Sequence, residues 1–264
     1  MEEKIRVLRA NPAGNITLFV LSTVAPERRA VVAAALMRMD AFQAEQVGYV
    51  IPADSESGDA RLEMAGGEFC GNASRAFGLL LAKEKGITGA LPVSVSGCAH
   101  PVLVKVDVAS ACASAEMPLP LSQTRREVDG VPGTLVDLGG IAHFVVHEKP
   151  SRSFFAKAEA LFEEMPGLEA YGVIFLEADG NGMTPLVKVR ATDTIVFEGS
   201  CGSGSFAAAV AESQNMQEGL FRKCYEQPAG DLEVEIERSG GAVLRGSIGG
   251  SVSFDEPVEV TVTL

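Results

Sequence analysis

Two stretches decide the fold: CGNASRAFGLLLA at residues 70–82 and CGSGSFAAAVA at residues 201–211. Each begins with Cys-Gly and continues into a run that is apolar around the whole helical circumference. A helix of that kind is buried on all sides. The two cysteines lie 131 residues apart, about half of the 264-residue chain. The sequence therefore predicts two similar halves, each with a buried helix that follows a Cys-Gly.

A second pair of matching stretches supports the duplication. GNITLFV at residues 14–20 is similar to GIAHFVV at residues 140–146. Both pairs occur in the same order at nearly the same spacing, which is typical of an internal repeat. We expect an N-terminal half at 1–118, joined by a C-terminal strand at 254–264, and a C-terminal half at 119–253.

Strands and helices are mixed along the whole chain. Alternating or continuous apolar runs predict strands at 18–21, 93–95, 102–108, 144–146, 173–175, 186–189, 232–236 and 258–262. Helical patterns fall at 26–39, 72–85, 151–165 and 204–217. The expected class is α+β, with two pseudo-symmetric halves. Each half is a mixed sheet wrapped around a buried central helix, and the active site lies in the cleft between the halves.

Composition excludes several functional classes. The formal charge of −13 and the pI of about 4.7 disfavour nucleic acids and anionic membrane surfaces as partners. The longest apolar run has eight residues, at 30–37, which is too short to span a bilayer. No signal peptide is evident. Five cysteines without a CxxC predict reduced thiols in the cytoplasm rather than a disulfide framework or a zinc ribbon.

A cysteine at a helix N-terminus feels the positive end of the helix dipole, which lowers the pKa of its thiol. The following N–H groups form an anion site, and small residues let an anion approach the backbone. Two such sites on opposite sides of one carbon are suited to removing a proton from one face and returning it on the other. Cys70 and Cys201 are therefore the candidate acid and base.

Other interpretations have less support in the sequence. The glycines at 199–204 lack the spacing and the basic residue of a phosphate cradle. His143 and His147 lie four apart on one predicted strand face, but a metal site would need a third ligand, so no metal is expected. A Cys–His pair for acyl transfer would leave the second Cys-Gly helix unexplained. The remaining cysteines are interpreted as small buried residues: Cys98, Cys112 and Cys224.

The motifs resemble the cofactor-independent amino-acid racemases and epimerases of the diaminopimelate epimerase-like fold, over essentially the whole chain. The resemblance implies that Cys70 and Cys201 are the catalytic pair and that no pyridoxal phosphate or other cofactor is used. It implies that His143 lies near one catalytic cysteine and modulates its pKa. It also implies a set of substrate-binding residues: Asn15, Glu45, Gln46, Gly71, Asn72, Gly202 and Ser203.

Departures from the diaminopimelate epimerase pattern point to a different substrate. Thr192 and Asp193 stand where those enzymes have a Glu-Arg pair that binds the distal carboxylate, and GIAH at 140–143 replaces Gly-Asn-Pro-His. The Gly-Gly-Glu-x-Cys-Gly-Asn context at 66–72, with Glu45 before a glutamine, is similar to the histidine racemases of the superfamily. The expected activity is racemisation of histidine.

The resemblance leaves three other functions open: a diaminopimelate epimerase, a non-catalytic amino-acid binder on the same fold, and an isomerase of the phenazine-pathway type. The last class lacks the cysteine pair. The expected partner is a small amino acid, with no nucleic acid and no membrane. A homodimer is compatible with the sequence, which does not fix the oligomeric state.

Overall fold

The computed structural model describes residues 2–52, 60–178, 180–190 and 193–263. The chain divides into two compact units, one made of Met1–Glu116 with Gly249–Leu264 and the other of Met117–Ile248. The class is mixed α+β and dominated by strands, as the sequence predicts. None of the helices formed by these residues is long and apolar enough to cross a membrane.

The described elements follow one another in chain order: β1 Glu2–Asn11, β2 Thr17–Val20, α1 Pro26–Met37, β3 Gln46–Ile51, β4 Arg61–Met64, α2 Gly71–Lys85, β5 Gly89–Val95, β6 Val102–Asp107, β7 Cys112–Glu116, β8 Ser122–Val128, β9 Val131–Asp137, β10 Ile141–Val146, α3 Arg152–Glu163, β11 Ala170–Leu176, β12 Met183–Val189, β13 Thr194–Phe197, α4 Gly202–Glu212, β14 Gly219–Tyr225, β15 Leu232–Ser239, β16 Ala242–Ser251, β17 Ser253–Phe254 and β18 Val258–Thr263.

The sheet of the first unit runs in the order β7-β6-β5-β4-β3-β2-β1, and β17 and β18 both pair with β1. The parallel pairs are β2 with β3, across α1, and β4 with β5, across α2. Helix α2 is buried against β5, β6 and β7. Gly78 lets α2 approach β6 closely, because a Cβ there would lie 2.6 Å from Cγ1 of Val104.

The second unit holds a six-stranded sheet in the order β13-β12-β11-β10-β9-β8, in which β10 and β11 are parallel across α3. Strands β14 and β15 form an antiparallel pair, and β16 follows β15 in the sheet order. Helix α4 packs on β15, β10 and β9, and residues 204–211 are all buried. A Cβ at Gly246 would lie 2.3 Å from the ring of Phe206, so β16 approaches α4 at a glycine.

The predicted helices are confirmed, with differences at their ends. Helix α1 begins with Pro26 at its first turn but ends at Met37, and α4 ends at Glu212 in a short 3-10 turn. The prediction that His143 and His147 share one strand is wrong. Strand β10 ends at Val146, so His143 is buried in the sheet whereas His147 is exposed beyond it.

Candidate active site

Cys70 is the N-cap of α2. Its backbone is extended (φ −128°, ψ 112°), and its Sγ accepts a hydrogen bond from the N–H of Ala73 at 3.4 Å. The side chain of Ser74 closes the same turn by donating to the carbonyl of Cys70 at 2.7 Å. The thiol thus takes the place that a serine or aspartate oxygen usually fills at a helix start. Gly71 and Asn72 lie in the first turn, where intrahelical carbonyls do not reach the N–H groups.

A chain of hydrogen bonds leads from the Cys70 thiol to Glu45. Nε2 of Gln46 lies 3.3 Å from the Cys70 Sγ, 2.6 Å from Oδ1 of Asn15 and 3.0 Å from Oγ1 of Thr17. Nδ2 of Asn15 donates to Oε2 of Glu45 at 2.6 Å. The parallel register that places Thr17 beside Gln46 brings these groups together at the start of β2 and β3. Three of the residues expected to bind substrate, Asn15, Glu45 and Gln46, are therefore connected to Cys70 by successive hydrogen bonds.

Burial outweighs the helix dipole at Cys70. Desolvation raises the pKa of the thiol, and the nearby Glu68 carboxylate adds to the increase, while the N–H of Ala73 and the Gln46 amide lower it. The expectation that the helix start lowers the pKa is wrong for this site without substrate. Burial likewise raises the pKa of Glu45, against the effect of its hydrogen bond from Asn15. Both groups therefore favour their neutral forms more than they would in water.

Cys201 caps α4 in the same way. Its backbone is extended (φ −123°, ψ 108°), and its Sγ accepts from the N–H of Gly204 at 3.3 Å. Ser205 donates to the Cys201 carbonyl at 2.7 Å, as Ser74 does in the first unit. A Cβ at position 204 would lie 2.6 Å from Ile174, which explains the glycine. Gly202 and Ser203 occupy the first turn of α4.

The surroundings of the second thiol differ from those of the first. The Ser203 hydroxyl lies 3.5 Å from the Cys201 Sγ and 2.9 Å from Nε2 of His143. Full burial lowers the pKa of His143 to about 3, so the imidazole is neutral near pH 7. His143 therefore reaches the thiol through Ser203, as a neutral hydrogen-bonding group rather than as a cation.

Burial raises the pKa of the Cys201 thiol well above its usual value. The Glu198 carboxylate increases it further by its charge and by a side-chain hydrogen bond, whereas Ser203 and the N–H of Gly204 lower it. The expected lowering of the pKa by the helix start is therefore wrong here as well. Gln227 fixes the backbone of this cysteine, because its Oε1 accepts the N–H of Cys201 at 2.8 Å.

Sequence reasoning missed four residues beside the cysteines: Thr17, Arg75, Glu198 and Gln227. Only Glu198 carried a signal, because an acid precedes each cysteine by two or three residues, as Glu68 does for Cys70. Asp193, which stands in place of the arginine of the Glu-Arg pair of diaminopimelate epimerases, is not an isolated charge. It is exposed and pairs with Lys188 at 3.2 Å, while Thr192 lies outside the described residues.

Groups suited to metal binding are absent from the part of the chain that the structure describes: no three His, Cys, Asp or Glu side chains cluster there. All five cysteines are free thiols. The interpretation of Cys98, Cys112 and Cys224 as small buried residues is wrong, because Cys224 is exposed and the other two are only partly buried. The two sites contain thiols, amides, hydroxyls, carboxylates, an imidazole and helix N-terminal N–H groups, which supply hydrogen bonds and exchangeable protons.

Some known proteins are similar to this chain in sequence and others in fold. A histidine racemase from Fusobacterium nucleatum is 32% identical over 98% of this chain and 96% of its own length. The structure of a hydroxyproline epimerase from Agrobacterium vitis, with bound trans-4-hydroxy-L-proline, has a TM-score of 0.65 at 11% identity, over 98% of this chain and 92% of the other. A phenazine biosynthesis protein of the PhzF family from Enterococcus faecalis has a TM-score of 0.62 at 13% identity, over 98% and 99%.

The two structural similarities show the fold alone, since enzymes with different substrates share it. The sequence comparison goes further. Residues 4–255 match the family described as the histidine racemase CntK N-terminal domain, which takes in both cysteine-capped helices. By this match and by its identity to the Fusobacterium protein, the chain belongs to that histidine racemase family.

Proposed function

We propose that this protein is an isomerase that racemises histidine without a cofactor, with Cys70 and Cys201 as acid and base. The observation that carries the proposal is the repeated helix start, in which each thiol caps a buried helix and faces N–H groups of its first turn. Binding alone needs no acid or base, so a non-catalytic binder would not require two such thiols. Membership of the histidine racemase family supports the same conclusion.

The proposed reaction removes the proton of the α-carbon from one face and adds another proton to the opposite face. One cysteine, as thiolate, takes the α-proton, and the electron pair of the broken C–H bond spreads onto the α-carboxylate. The other cysteine gives its S–H proton to the opposite face of the carbon. The roles exchange for the other enantiomer.

N–H groups at the two helix starts are suited to hold the α-carboxylate as its charge grows. The candidates are the first-turn residues Gly71, Asn72, Gly202 and Ser203, whose N–H groups point along the helix axis. Donors that are already in place stabilise the developing charge without reorganising. Burial keeps both thiols largely protonated in the empty site, and the substrate ammonium group would favour the thiolate by its opposite charge.

Glu45 is the proposed contact for the imidazole of the substrate. Its carboxylate accepts a hydrogen bond from Asn15. Asn15 in turn bonds Gln46, and Gln46 bonds the Cys70 thiol. A carboxylate accepts an imidazole N–H and also balances an imidazolium. The same charge disfavours the distal carboxylate of diaminopimelate, which would need a cationic partner when buried.

The duplicated halves and the cytoplasmic location belong to the same proposal. In both units an antiparallel strand pair leads into a parallel pair across a helix, β1-β2-β3 in the first and β9-β10-β11 in the second. A buried cysteine-capped helix then follows in each unit. This order supports pseudo-symmetric halves. Five free cysteines support a reducing compartment.

The test is a panel of L-amino acids incubated with the purified protein and separated by chiral chromatography. Histidine should be converted to its enantiomer fastest, and LL-diaminopimelate at least about a hundredfold more slowly, the order expected for an unpaired buried charge. Glu45→Gln should lower turnover of histidine more than that of alanine, with Glu63→Gln on the same unit as a matched control. Diaminopimelate as the best substrate, with histidine inert, would overturn the proposal.

A further inference from the structure

Arg75 is a fully buried cation on the first turns of α2, five residues after Cys70. Its Nε donates to Oδ1 of Asn72 at 3.0 Å, and its Nη1 donates to the carbonyls of Gly250 and Ser251 at 2.9 and 3.0 Å. Its Nη2 is buried and finds no hydrogen-bond partner among the described residues. A buried charge that is incompletely paired costs stability, so packing alone does not explain this arginine.

The other fully buried arginine shows what a structural role requires. Each guanidinium nitrogen of Arg238 has a partner: Nε bonds Ser213, Nη1 bonds the carbonyl of Gly241, and Nη2 bonds Gln123 and the carbonyl of Val210. Arg238 thus ties the end of α4 to its surroundings, and none of its three nitrogens lacks a hydrogen-bond partner. Arg75 differs because it holds a charge next to Cys70 with one donor nitrogen unused.

The positive charge of Arg75 interacts electrostatically with Cys70. Burial lowers the pKa of Arg75 to about 10, so the guanidinium stays protonated near pH 7. Negative charge on the Cys70 and Cys112 sulfurs favours this cation, and by reciprocity the cation favours a thiolate at Cys70. The Gln46 amide acts in the same direction from β3, whereas the Glu68 carboxylate opposes it from the loop before α2.

The second unit has the opposite arrangement. Phe206 stands five residues after Cys201, where the first unit has Arg75. The charged group that contacts Cys201 is the Glu198 carboxylate, and the Ser203 hydroxyl beside the thiol is held by a neutral imidazole. A carboxylate that shares a hydrogen bond with a thiol favours the protonated sulfur. The third residue of each motif, Asn72 or Ser203, is therefore held by a cation in one unit and by a neutral group in the other.

We propose that Arg75 makes the two catalytic thiols unequal, so that Cys70 loses its proton more readily than Cys201 and is the first of the two to act as the base. This inference rests on the two-thiol reaction proposed above. In one turnover, the Cys70 thiolate takes the α-proton of one enantiomer and Cys201 gives its proton to the opposite face. The enzyme is left with a Cys70 thiol and a Cys201 thiolate. One proton must then leave Cys70 and one must return to Cys201 before the same enantiomer reacts again.

Arg75 is also a positioning residue for Asn72. Because Oδ1 of Asn72 accepts from the guanidinium, the amide nitrogen is the group that remains to donate to a ligand. A lysine at position 75 would keep the charge but lose the fork that bonds Asn72 and the carbonyls of residues 250 and 251 together. The charge and the orientation can therefore be separated by substitution.

The test measures the ionisation of each thiol in the wild-type protein without substrate. Alkylation by iodoacetamide is followed at each cysteine by peptide mass spectrometry from about pH 6 to about pH 11, because burial raises the pKa of both thiols above the usual range. A Cys201 thiol that has not reached its plateau at the upper end has the higher midpoint. The pH midpoint reports ionisation, while the plateau rate reports access of the reagent. The midpoint of Cys70 should lie below that of Cys201. Equal midpoints, or the reverse order, would overturn the inference.

Substitutions assign the cause. Arg75→Met should raise the Cys70 midpoint by about one pH unit or more, whereas Arg75→Lys should retain most of the wild-type value. Arg238→Met is the matched control for the loss of a buried arginine and should leave the Cys70 midpoint in place. A folded Arg75→Met protein with an unchanged Cys70 midpoint would contradict the role of Arg75.

If Arg75→Met does not fold, a variant of the second unit tests whether the charged neighbour of a thiol sets its pH midpoint. Glu198→Gln should lower the Cys201 midpoint and leave that of Cys70 unchanged, and the exposed Glu163→Gln should change neither. An unchanged Cys201 midpoint in Glu198→Gln would overturn the inference. If the two midpoints differ as predicted but the protein does not racemise histidine, the proposed function is wrong and the difference between the two thiols stands. If the protein racemises histidine but the midpoints are equal, the proposed function stands and the difference between the thiols is wrong.

Discussion

The starts of α2 and α4 have the same backbone arrangement and different electrostatic surroundings. In both, an extended cysteine accepts an N–H three residues later, and a serine four residues later bonds the cysteine carbonyl. The first thiol accepts a hydrogen bond from an amide and interacts with the charge of a buried guanidinium. The second lies beside a carboxylate and a serine held by a neutral histidine. Similar helix geometry places a reactive sulfur, and the neighbouring side chains set its protonation.

The largest expected effect comes from removing either sulfur. Cys70→Ser and Cys201→Ser should each lower racemisation by at least about a hundredfold, because serine is a far weaker acid near pH 7 and a positioned acid or base contributes 10²–10⁴-fold. Histidine binding should survive in both proteins. Chiral chromatography and calorimetric binding measure the two properties separately. If either serine variant racemised histidine near the wild-type rate, the claim that both helix starts supply a catalytic thiol would be wrong.

His143 should make the second unit sensitive to acid. Its pKa is about 3 in the folded protein and 6.5 in an unperturbed histidine, so between these values the unfolded chain binds the extra proton. The free energy of unfolding therefore falls as the pH falls through this window, by up to about 1.4 kcal/mol per pH unit. His143→Gln should flatten that dependence in urea unfolding, and the exposed His147→Gln should not. Equal slopes in all three proteins would exclude a buried neutral His143.

A smaller effect is expected from the hydrogen bonds that each thiol receives. Gln46 lowers the pKa of Cys70 and Ser203 lowers that of Cys201. Gln46→Leu and Ser203→Ala should therefore each raise the pKa of the adjacent thiol and move the pH profile of kcat/KM to higher pH. We expect about a tenfold loss near pH 7, the effect of about one pKa unit, with partial recovery in alkali. Ser153→Ala, on the exposed face of α3, is the control, and an unmoved profile in both site variants would contradict the account.

The features that occur in both halves of the chain could be predicted from the sequence. The two apolar runs after Cys-Gly predicted buried helices, and α2 and α4 are buried as expected. Alternating residues predicted β6, whose side chains alternate between buried and exposed. Strand β8 was missed because Ser122–Val128 is polar almost throughout, as suits an edge strand whose partner β9 supplies the pairing.

The electrostatics of the site could not be predicted from local sequence. The helix start indicates a lowered thiol pKa, but burial raises both pKa values, and burial depends on the whole fold. Arg75 lies beside an apolar run and gives no sign of being buried. Its carbonyl partners, Gly250 and Ser251, lie 175 and 176 residues away in the chain.

Deuterium incorporation tests the two-thiol reaction most directly. L-histidine is incubated with the protein in D₂O, and the α-positions of both enantiomers are followed by proton NMR and chiral chromatography at low conversion. Two thiols predict that the D-histidine formed carries deuterium from the start, because a different group supplies its proton, while the remaining L-histidine keeps its protium. A single base would return the same proton or exchange both enantiomers alike. D-histidine that retained protium, or L-histidine that lost it as fast as product formed, would contradict the account.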